Sequence, residues 1–170
     1  FFLESTFRER VTNIFVIDDL ADRRHNCDVL LDSNYAKLES RRYASLVPSN
    51  CTMLLGPTYG LMPKLYGRHA KTPCIRDGSV KRILVYFGGS DEYNVSGRCL
   101  EALSSPQLRH LMVDLVVGSM NSHVEYLTKF AENSTNVSLH SGLPDLSTLI
   151  NTADLSIGAA GVTTWERMCL

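Results

Sequence analysis

The chain has 170 residues, of which 44% are hydrophobic and 21% charged, and its formal net charge is -1 at neutral pH. This balance is typical of an ordinary globular protein and excludes a general nucleic-acid binder, which would carry a basic excess. No apolar run approaches the roughly 20 residues that a membrane-spanning helix needs, so we expect no membrane partner. The five cysteines form no C-x-x-C pair and no disulfide framework, so we expect reduced thiols and a cytoplasmic protein. Both ends interrupt helical patterns, and we expect the sequence to be a piece of a longer protein.

The first part of the chain contains three apolar runs that we predict to be strands, joined by short polar or helical pieces. These runs cover residues 13–19, 27–33 and 51–57. The composition then changes, because residues 56–79 hold three of the six prolines and four of the eleven glycines. Both residue types break regular structure. We therefore predict a domain crossing here, with one domain over 1–75 and a second over 76–170.

From Lys81 onward, short apolar runs alternate with stretches of helical period. The runs are "ILVYF", "LMVDLVV", "VSLH" and "DLSI". Such alternation predicts βαβ units and a parallel sheet, so the fold class is α/β. Most of these runs are followed by glycine or other small residues. Because ligands of open α/β sheets lie at the carboxyl ends of the strands, we expect the ligand at this edge.

The stretch "FGGSDEYN", residues 87–94, is the first candidate site. Gly88 and Gly89 would let backbone N–H groups approach an anion, and Ser90 and Asp91 would add side-chain contacts. A tight turn before a helix capped by Asn94 explains the same residues equally well.

The second candidate is "GAAGVTTWER", residues 158–167. Its glycines suggest a strand, an open turn and a helix N-terminus, where unpaired N–H groups favour phosphate. Glu166 has two interpretations on spacing alone. It completes a capping box with Thr163, or it accepts hydrogen bonds from a ribose diol.

Two residues of the first part are weaker candidates. His25 lies in the polar stretch "IDDLADRRHNCD" and has the right chemistry for a general acid or base, although a lone loop histidine is more often structural. Tyr59, in "LLGPTYGL", would either face a cleft between domains or pack against the linker.

Taken in order, four segments resemble a known family: "VIDDLADRRHNCDVLLD", "LLGPTYGLM", "ILVYFGGSDEYN" and "ADLSIGAAGVTTWERMCL". They are similar to blocks of the UDP-2,4-diacetamido-2,4,6-trideoxy-β-L-altropyranose hydrolases of bacterial pseudaminic acid biosynthesis. The wider group includes spore-coat polysaccharide and flagellin-modification proteins. The resemblance implies a glycosyltransferase-B fold of two Rossmann-like domains, both incomplete here. Residues 1–75 would end the N-terminal domain and its linker, and 76–170 would begin the UDP-binding C-terminal domain.

The resemblance also implies the reaction, in which water replaces UDP at the anomeric carbon and releases UDP and the free sugar. It implies a small-molecule UDP-sugar as partner, with no cofactor, no metal and no nucleic acid. The residues that it assigns to the substrate are Gly88, Gly89, Ser90, Asp91, Gly158, Ala159, Ala160, Gly161, Val162, Thr163 and Thr164, with Glu166 on the ribose.

The base that activates water would be a histidine in a glycine-rich loop ahead of Phe1, so we expect these 170 residues alone to be inactive. The segment "GLMPKLYGRH" departs from the "L-L-R-x-E-F" that usually follows the family's tyrosine block. Two other functions stay open at this point. One is a glycosyltransferase of the same fold that uses an acceptor hydroxyl, and the other is a non-catalytic module that binds UDP-sugars.

Overall fold

In the computed structural model, which describes residues 2–37, 39–71 and 76–170, the chain folds as two units, Phe1–Leu61 and Met62–Leu170. This division falls earlier than the boundary that the proline and glycine content suggests. The reason is helix α3 (Lys64–His69), because its Tyr66 is fully buried against Leu84 and Ile150 of the second unit. The predicted assignment of the two parts to halves of larger domains stays a prediction.

The first unit is built on a three-stranded parallel sheet. Its strands are β1 (Phe15–Ile17), β2 (Val29–Asp32) and β3 (Thr52–Leu55), in the spatial order β1-β2-β3. Each lies within one of the predicted runs. Leu30 of the central strand β2 is fully buried beside Cys27 and Tyr43, and these residues form the core. The remaining elements are α1 (Phe2–Arg8), α2 (Glu39–Arg42) and a 3-10 turn at Pro57–Tyr59.

The second unit is built on a four-stranded parallel sheet, as the alternating pattern predicts. After α3, the elements are β4 (Arg82–Tyr86), α4 (Val95–Leu103), β5 (Met112–Val117), α5 (Val124–Glu132), β6 (Val137–Ser141), α6 (Ser147–Thr152), β7 (Leu155–Gly158) and α7 (Val162–Cys169). Their spatial order is β6-β5-β4-β7. The chain is thus α/β with parallel, Rossmann-like sheets.

Successive side chains of a strand point to opposite faces, and both faces of this sheet are apolar. Ile83, Val85 and Leu115 belong to a core cluster that includes Leu100 of α4 and Leu127 of α5. On the other face, Leu84 and Val116 meet residues of α3 and α6. The sheet is therefore covered by helices on both sides, as the near-continuous apolar runs of its strands require.

The strand order creates a switch point between β4 and β7. From β4 the chain adds β5 and then β6 on one side, and it then crosses back to place β7 on the other side of β4. In open α/β sheets, ligands bind outside the carboxyl ends of the strands at such a point, because the adjoining loops diverge there and leave a crevice. The loops after β4 and β7 flank this crevice.

Candidate functional site

Glycines bring the strand-end loops of the second sheet into backbone contact. A Cβ atom at Gly118, which follows β5, would overlap the Cα and carbonyl atoms of Gly89, which follows β4. A Cβ atom at Gly158 would overlap the carbonyl oxygen of Tyr86 at the end of β4. Gly88 has φ 90°, a left-handed conformation that side chains other than glycine rarely adopt. Glycine at these places is therefore required by close approach and by backbone conformation.

The carboxylate of Asp91 caps helix α4. One of its oxygens accepts from the Val95 N–H at 2.9 Å and the other from the Ser96 N–H at 2.9 Å. Asn94, the N-cap residue, adds a third contact, because its side chain accepts from the Gly97 N–H at 3.2 Å. The structural interpretation of this loop therefore accounts fully for Asp91 and Asn94, whereas Ser90 is exposed beside them.

Helix α7 begins at Val162, directly after the glycine-rich turn, and Gly161 is its N-cap residue. The Gly161 N–H donates to the hydroxyl of Thr164 at 3.2 Å, and the Thr164 N–H donates to the Gly161 carbonyl at 2.9 Å. The alternative of a capping box between Thr163 and Glu166 was therefore wrong, because the observed box lies two positions earlier. Glu166 is consequently available for another role.

Arg167 holds the turn that precedes α7. Its guanidinium donates to the Ala159 carbonyl at 2.8 Å and to the Thr164 hydroxyl at 3.2 Å. The first N–H groups of an α-helix have no partner within the helix. The anchored turn therefore presents the amides of Val162 and Thr163, together with their share of the helix dipole, in a defined position.

A cavity of about 380 Å³ lies at the carboxyl edge of the sheet. The loops after three neighbouring strands contribute to it, with Gly89 after β4, Ser119 after β5 and residues 142–146 after β6. Tyr66 of α3 and two residues of α7, Thr163 and Glu166, complete the wall. Of the residues that the sequence singles out, the structure thus brings Gly89, Thr163 and Glu166 to one cavity. The other predicted loop residues lie nearby in sequence but are not part of its lining.

One side of this cavity is acidic. Burial raises the pKa of Glu166 above its ordinary value, and the charge of Asp145 adds to this, while a hydrogen bond with Tyr66 opposes it. Asp145 behaves differently, because hydrogen bonds from the Ser147 hydroxyl and N–H lower its pKa. Two carboxyl groups with opposite pKa shifts therefore line the same cavity, as is common at functional sites.

Sequence reasoning missed Tyr66, Asp145 and the loop after β6. The signal for the loop was present, because "SGLPD" follows "VSLH" and contains both glycine and proline. This loop lies at the same sheet edge as the other glycine-rich loops. The rule that ligands bind at the carboxyl ends of parallel strands would therefore have identified it. Nothing local marked Tyr66, which is 80 residues from its hydrogen-bond partner Leu146.

The two candidates of the first unit lie outside this cavity. His25 is buried, with its Nδ1 at 2.7 Å from the Glu4 carboxylate and its Nε2 at 3.5 Å from the Asp18 carboxylate. This arrangement is typical of a histidine that holds a loop in place. Tyr59 ends the 3-10 turn and is partly exposed. Its predicted place in a cleft stays a prediction.

Within residues 2–37, 39–71 and 76–170, no helix combines the length and apolar character needed to cross a membrane. The same residues include no group of three or more histidine, cysteine, aspartate or glutamate side chains arranged to hold a metal ion.

Comparison with known proteins gives two distant relatives, and no protein-family profile matches the chain. It is 25% identical over 144 residues to the spore coat polysaccharide biosynthesis protein SpsG of Bacillus subtilis, covering 84% of the chain and 41% of that protein. It is 26% identical over 141 residues to the uncharacterized protein MJ1062 of Methanocaldococcus jannaschii, covering 79% of the chain and 28% of that protein. The chain thus spans less than half the length of either relative.

Proposed function

We propose that the chain is the nucleotide-binding part of an enzyme that hydrolyses a UDP-linked 2,4-diacetamido-2,4,6-trideoxy sugar to UDP and the free sugar. The observation that carries this proposal is the cavity at the carboxyl edge of the second sheet, where Glu166 lies just over one helical turn after the start of α7. A carboxylate near the amides of a helix N-terminus suits a nucleoside diphosphate, which offers ribose hydroxyls as donors and phosphate oxygens as acceptors.

The distant similarity to SpsG supports a role in the biosynthesis of polysaccharides or their sugars, since that protein is named for spore coat polysaccharide biosynthesis. The whole enzyme would have the glycosyltransferase-B architecture. Two units, each with its own parallel sheet, are consistent with this arrangement. Nonulosonic acid formation, with flagellin glycosylation as one use of the product, is the pathway that the motif resemblance suggests.

In the proposed complex, the backbone amides of the loops and of the α7 N-terminus face the diphosphate. As the bond from the anomeric carbon to the phosphate oxygen breaks, negative charge develops on the departing UDP. Amides that already point at this position stabilise the charge without reorganising, and each such donor is worth about 3 kcal/mol in comparable sites. This part of the protein would therefore hold the leaving group, and the proposed histidine ahead of Phe1 would activate water.

We assign the roles of the predicted residues as follows. Gly89 and the turn at 158–164 would lie against the phosphates, and Glu166 would accept from the ribose hydroxyls. Asp91 already uses both carboxylate oxygens on amides of α4. We therefore assign it to holding the phosphate-side loop in shape.

The experiment that tests the reaction is an incubation of the full-length protein with the UDP-diacetamido sugar in the absence of any acceptor. Release of UDP is followed by a coupled enzyme assay, and the free sugar is identified by mass spectrometry. We expect both products to appear at equal rates, because water is the acceptor. UDP-N-acetylglucosamine, which lacks the second acetamido group, serves as the control substrate and should react more slowly.

Two outcomes would contradict the proposal. If UDP appeared only after a sugar or lipid acceptor was added, the protein would be a glycosyltransferase. If the protein bound UDP tightly but released none under either condition, it would be a UDP-sugar-binding module.

A further inference from the structure

Tyr66 is a fully buried side chain that joins three elements beneath the cavity. It belongs to α3 and its ring packs against Leu84 and Val116 of the sheet. Its hydroxyl is 3.3 Å from the N–H of Leu146, the residue before α6. The same hydroxyl neighbours the carboxylate of Glu166 on α7, and both side chains line the cavity.

The chemistry of these three groups decides which of them donates a proton. The Leu146 N–H is a donor, so the tyrosine oxygen accepts there. The single phenolic proton is then left for Glu166, whose ionised carboxylate is an acceptor only. Burial raises the pKa of Tyr66 to about 12, so this proton stays on the hydroxyl at physiological pH.

The proton of Tyr66 affects both the charge and the orientation of Glu166. Burial and the nearby Asp145 both disfavour the charged form of Glu166, whereas the hydrogen bond from Tyr66 and the charge of Arg167 favour it. Asp145 is tied to the Ser147 N–H at 2.8 Å, so its charge stays close to this wall of the cavity. A glutamate also has three rotatable bonds, and a donor below the carboxylate restricts their motion. Tyr66 therefore acts on both the charge and the orientation of Glu166.

We propose that Tyr66 is a positioning residue for diol recognition, whose hydroxyl, fixed by the Leu146 N–H at the cavity wall, aims the Glu166 carboxylate at the ribose hydroxyls of the bound nucleotide. This inference rests on the proposed function, because it takes UDP as the ligand. It goes further in assigning the ribose specificity to a residue of α3 that is buried and need not touch the nucleotide.

The test compares the dissociation constants of UDP and 2′-deoxy-UDP by isothermal titration calorimetry, using the full-length protein. The variants are Tyr66→Phe, Glu166→Gln and the double variant. Tyr126→Phe is the matched control, because Tyr126 donates to Glu101 at 2.8 Å in another tyrosine–glutamate pair of the same unit. A second readout is the pH at which UDP affinity falls by half.

We expect the unsubstituted protein to bind UDP about tenfold more tightly than 2′-deoxy-UDP, as for one hydrogen bond to a charged group. Tyr66→Phe should reduce this ratio to about two, and the double variant should resemble Glu166→Gln. Loss of the tyrosine donor should also move the pH midpoint upward, since Glu166 becomes harder to ionise. Tyr126→Phe should leave the ratio and the midpoint unchanged.

The failure of this inference is distinguishable from that of the proposed function. If the unsubstituted protein bound neither nucleotide, or bound both equally, the proposed ribose site would be wrong. A different result would overturn the role of Tyr66 alone. In that case the unsubstituted protein would prefer UDP to 2′-deoxy-UDP and Glu166→Gln would abolish this preference, but Tyr66→Phe would keep both the affinity ratio and the pH midpoint of UDP binding. A lower melting temperature with an unchanged ratio would likewise show a structural role only.

If Tyr66→Phe fails to fold, site-specific incorporation of 3,5-difluorotyrosine at position 66 tests the same inference. The fluorinated phenol keeps nearly the same size and is a stronger donor. It should move the pH midpoint downward, and an unmoved midpoint would overturn the inference.

Discussion

Glu166 is the residue on which the nucleotide assignment depends most directly. If it accepts from the ribose as a carboxylate, Glu166→Gln should weaken UDP binding by about 1 to 3 kcal/mol, the usual range for a lost hydrogen bond to a charged group. Calorimetric titration with UDP measures this change. Glu101→Gln is a matched control, because Glu101 also accepts from a tyrosine but lies on α4 away from the cavity. Unchanged affinity together with lower stability would make Glu166 a purely structural residue.

Gly158 and Gly161 occur in the same turn but are expected to respond very differently to alanine. Gly158→Ala would push a Cβ atom into the Tyr86 carbonyl on the neighbouring strand. We expect a loss of about 2 to 3 kcal/mol in the free energy of unfolding, since backbone must move to relieve the overlap. Gly161 has φ 170°, which is extended backbone, and open space around its Cβ position.

The Gly161→Ala protein is therefore the control for that measurement, and urea denaturation followed by circular dichroism compares the two. Gly161→Ala should stay within about 0.5 kcal/mol of the unsubstituted protein. Equal effects of the two substitutions would mean that the β4–β7 contact does not determine the choice of glycine.

At the scale of elements, one carboxylate links three strands of the second sheet. Asp114 of β5 is buried and is contacted by Arg82 of β4 at 2.5 Å and by His140 of β6 at 2.8 Å. Burial by itself would raise the pKa of Asp114, but the hydrogen bonds from Arg82 and His140 outweigh it and hold the pKa below its ordinary value. The ionised form is thus the one that the folded sheet favours.

This lowered pKa predicts how stability depends on pH. The contribution of Asp114 is fully present above the pKa of an unfolded aspartate, about 3.9, and is lost as the pH falls below it through the folded pKa. Asp114→Asn should lower the free energy of unfolding by about 2 kcal/mol at pH 7. It removes the buried carboxylate from its ion pair with Arg82, and the loss is moderate because the arginine is partly exposed. It should also flatten the decline of the urea midpoint between pH 5 and 2. A decline as steep as in the unsubstituted protein would show that other carboxyl groups account for it.

The helix starts show which elements were predictable from local chemistry. Asn94 ahead of α4 is an N-cap, as one of the two interpretations of "GGSDEYN" has it. For α7, the threonine and glutamate spacing suggested the wrong cap, because Gly161 ends the turn and Thr164 supplies the reciprocal hydroxyl. Spacing identifies a residue pair that fits a capping box, but the position where the backbone turns depends on packing against β4.

At the scale of the whole chain, the second sheet follows the Rossmann strand order, and this order explains where the cavity lies. The crossing from β6 back to β7 opens the crevice, and loops that follow β4, β5 and β6 then reach the same space. Glycines mark most of these loops in the sequence. The expectation of a ligand edge therefore needed only the alternation of strands and helices, together with a general rule about parallel sheets.

The sequence by itself determined the three strands of the first unit and the order and type of the elements from Lys81 onward, because the periodicity of apolar side chains reflects local geometry and burial. It also marked the glycine-rich edge and singled out Glu166. Only the tertiary structure decided that Tyr66, Asp145 and Glu166 share one wall of a cavity. These residues come from three separate stretches of the chain, and no local pattern relates them. Their meeting depends on β7 lying beside β4 and on α3 packing under the same sheet, and these arrangements result from long-range packing.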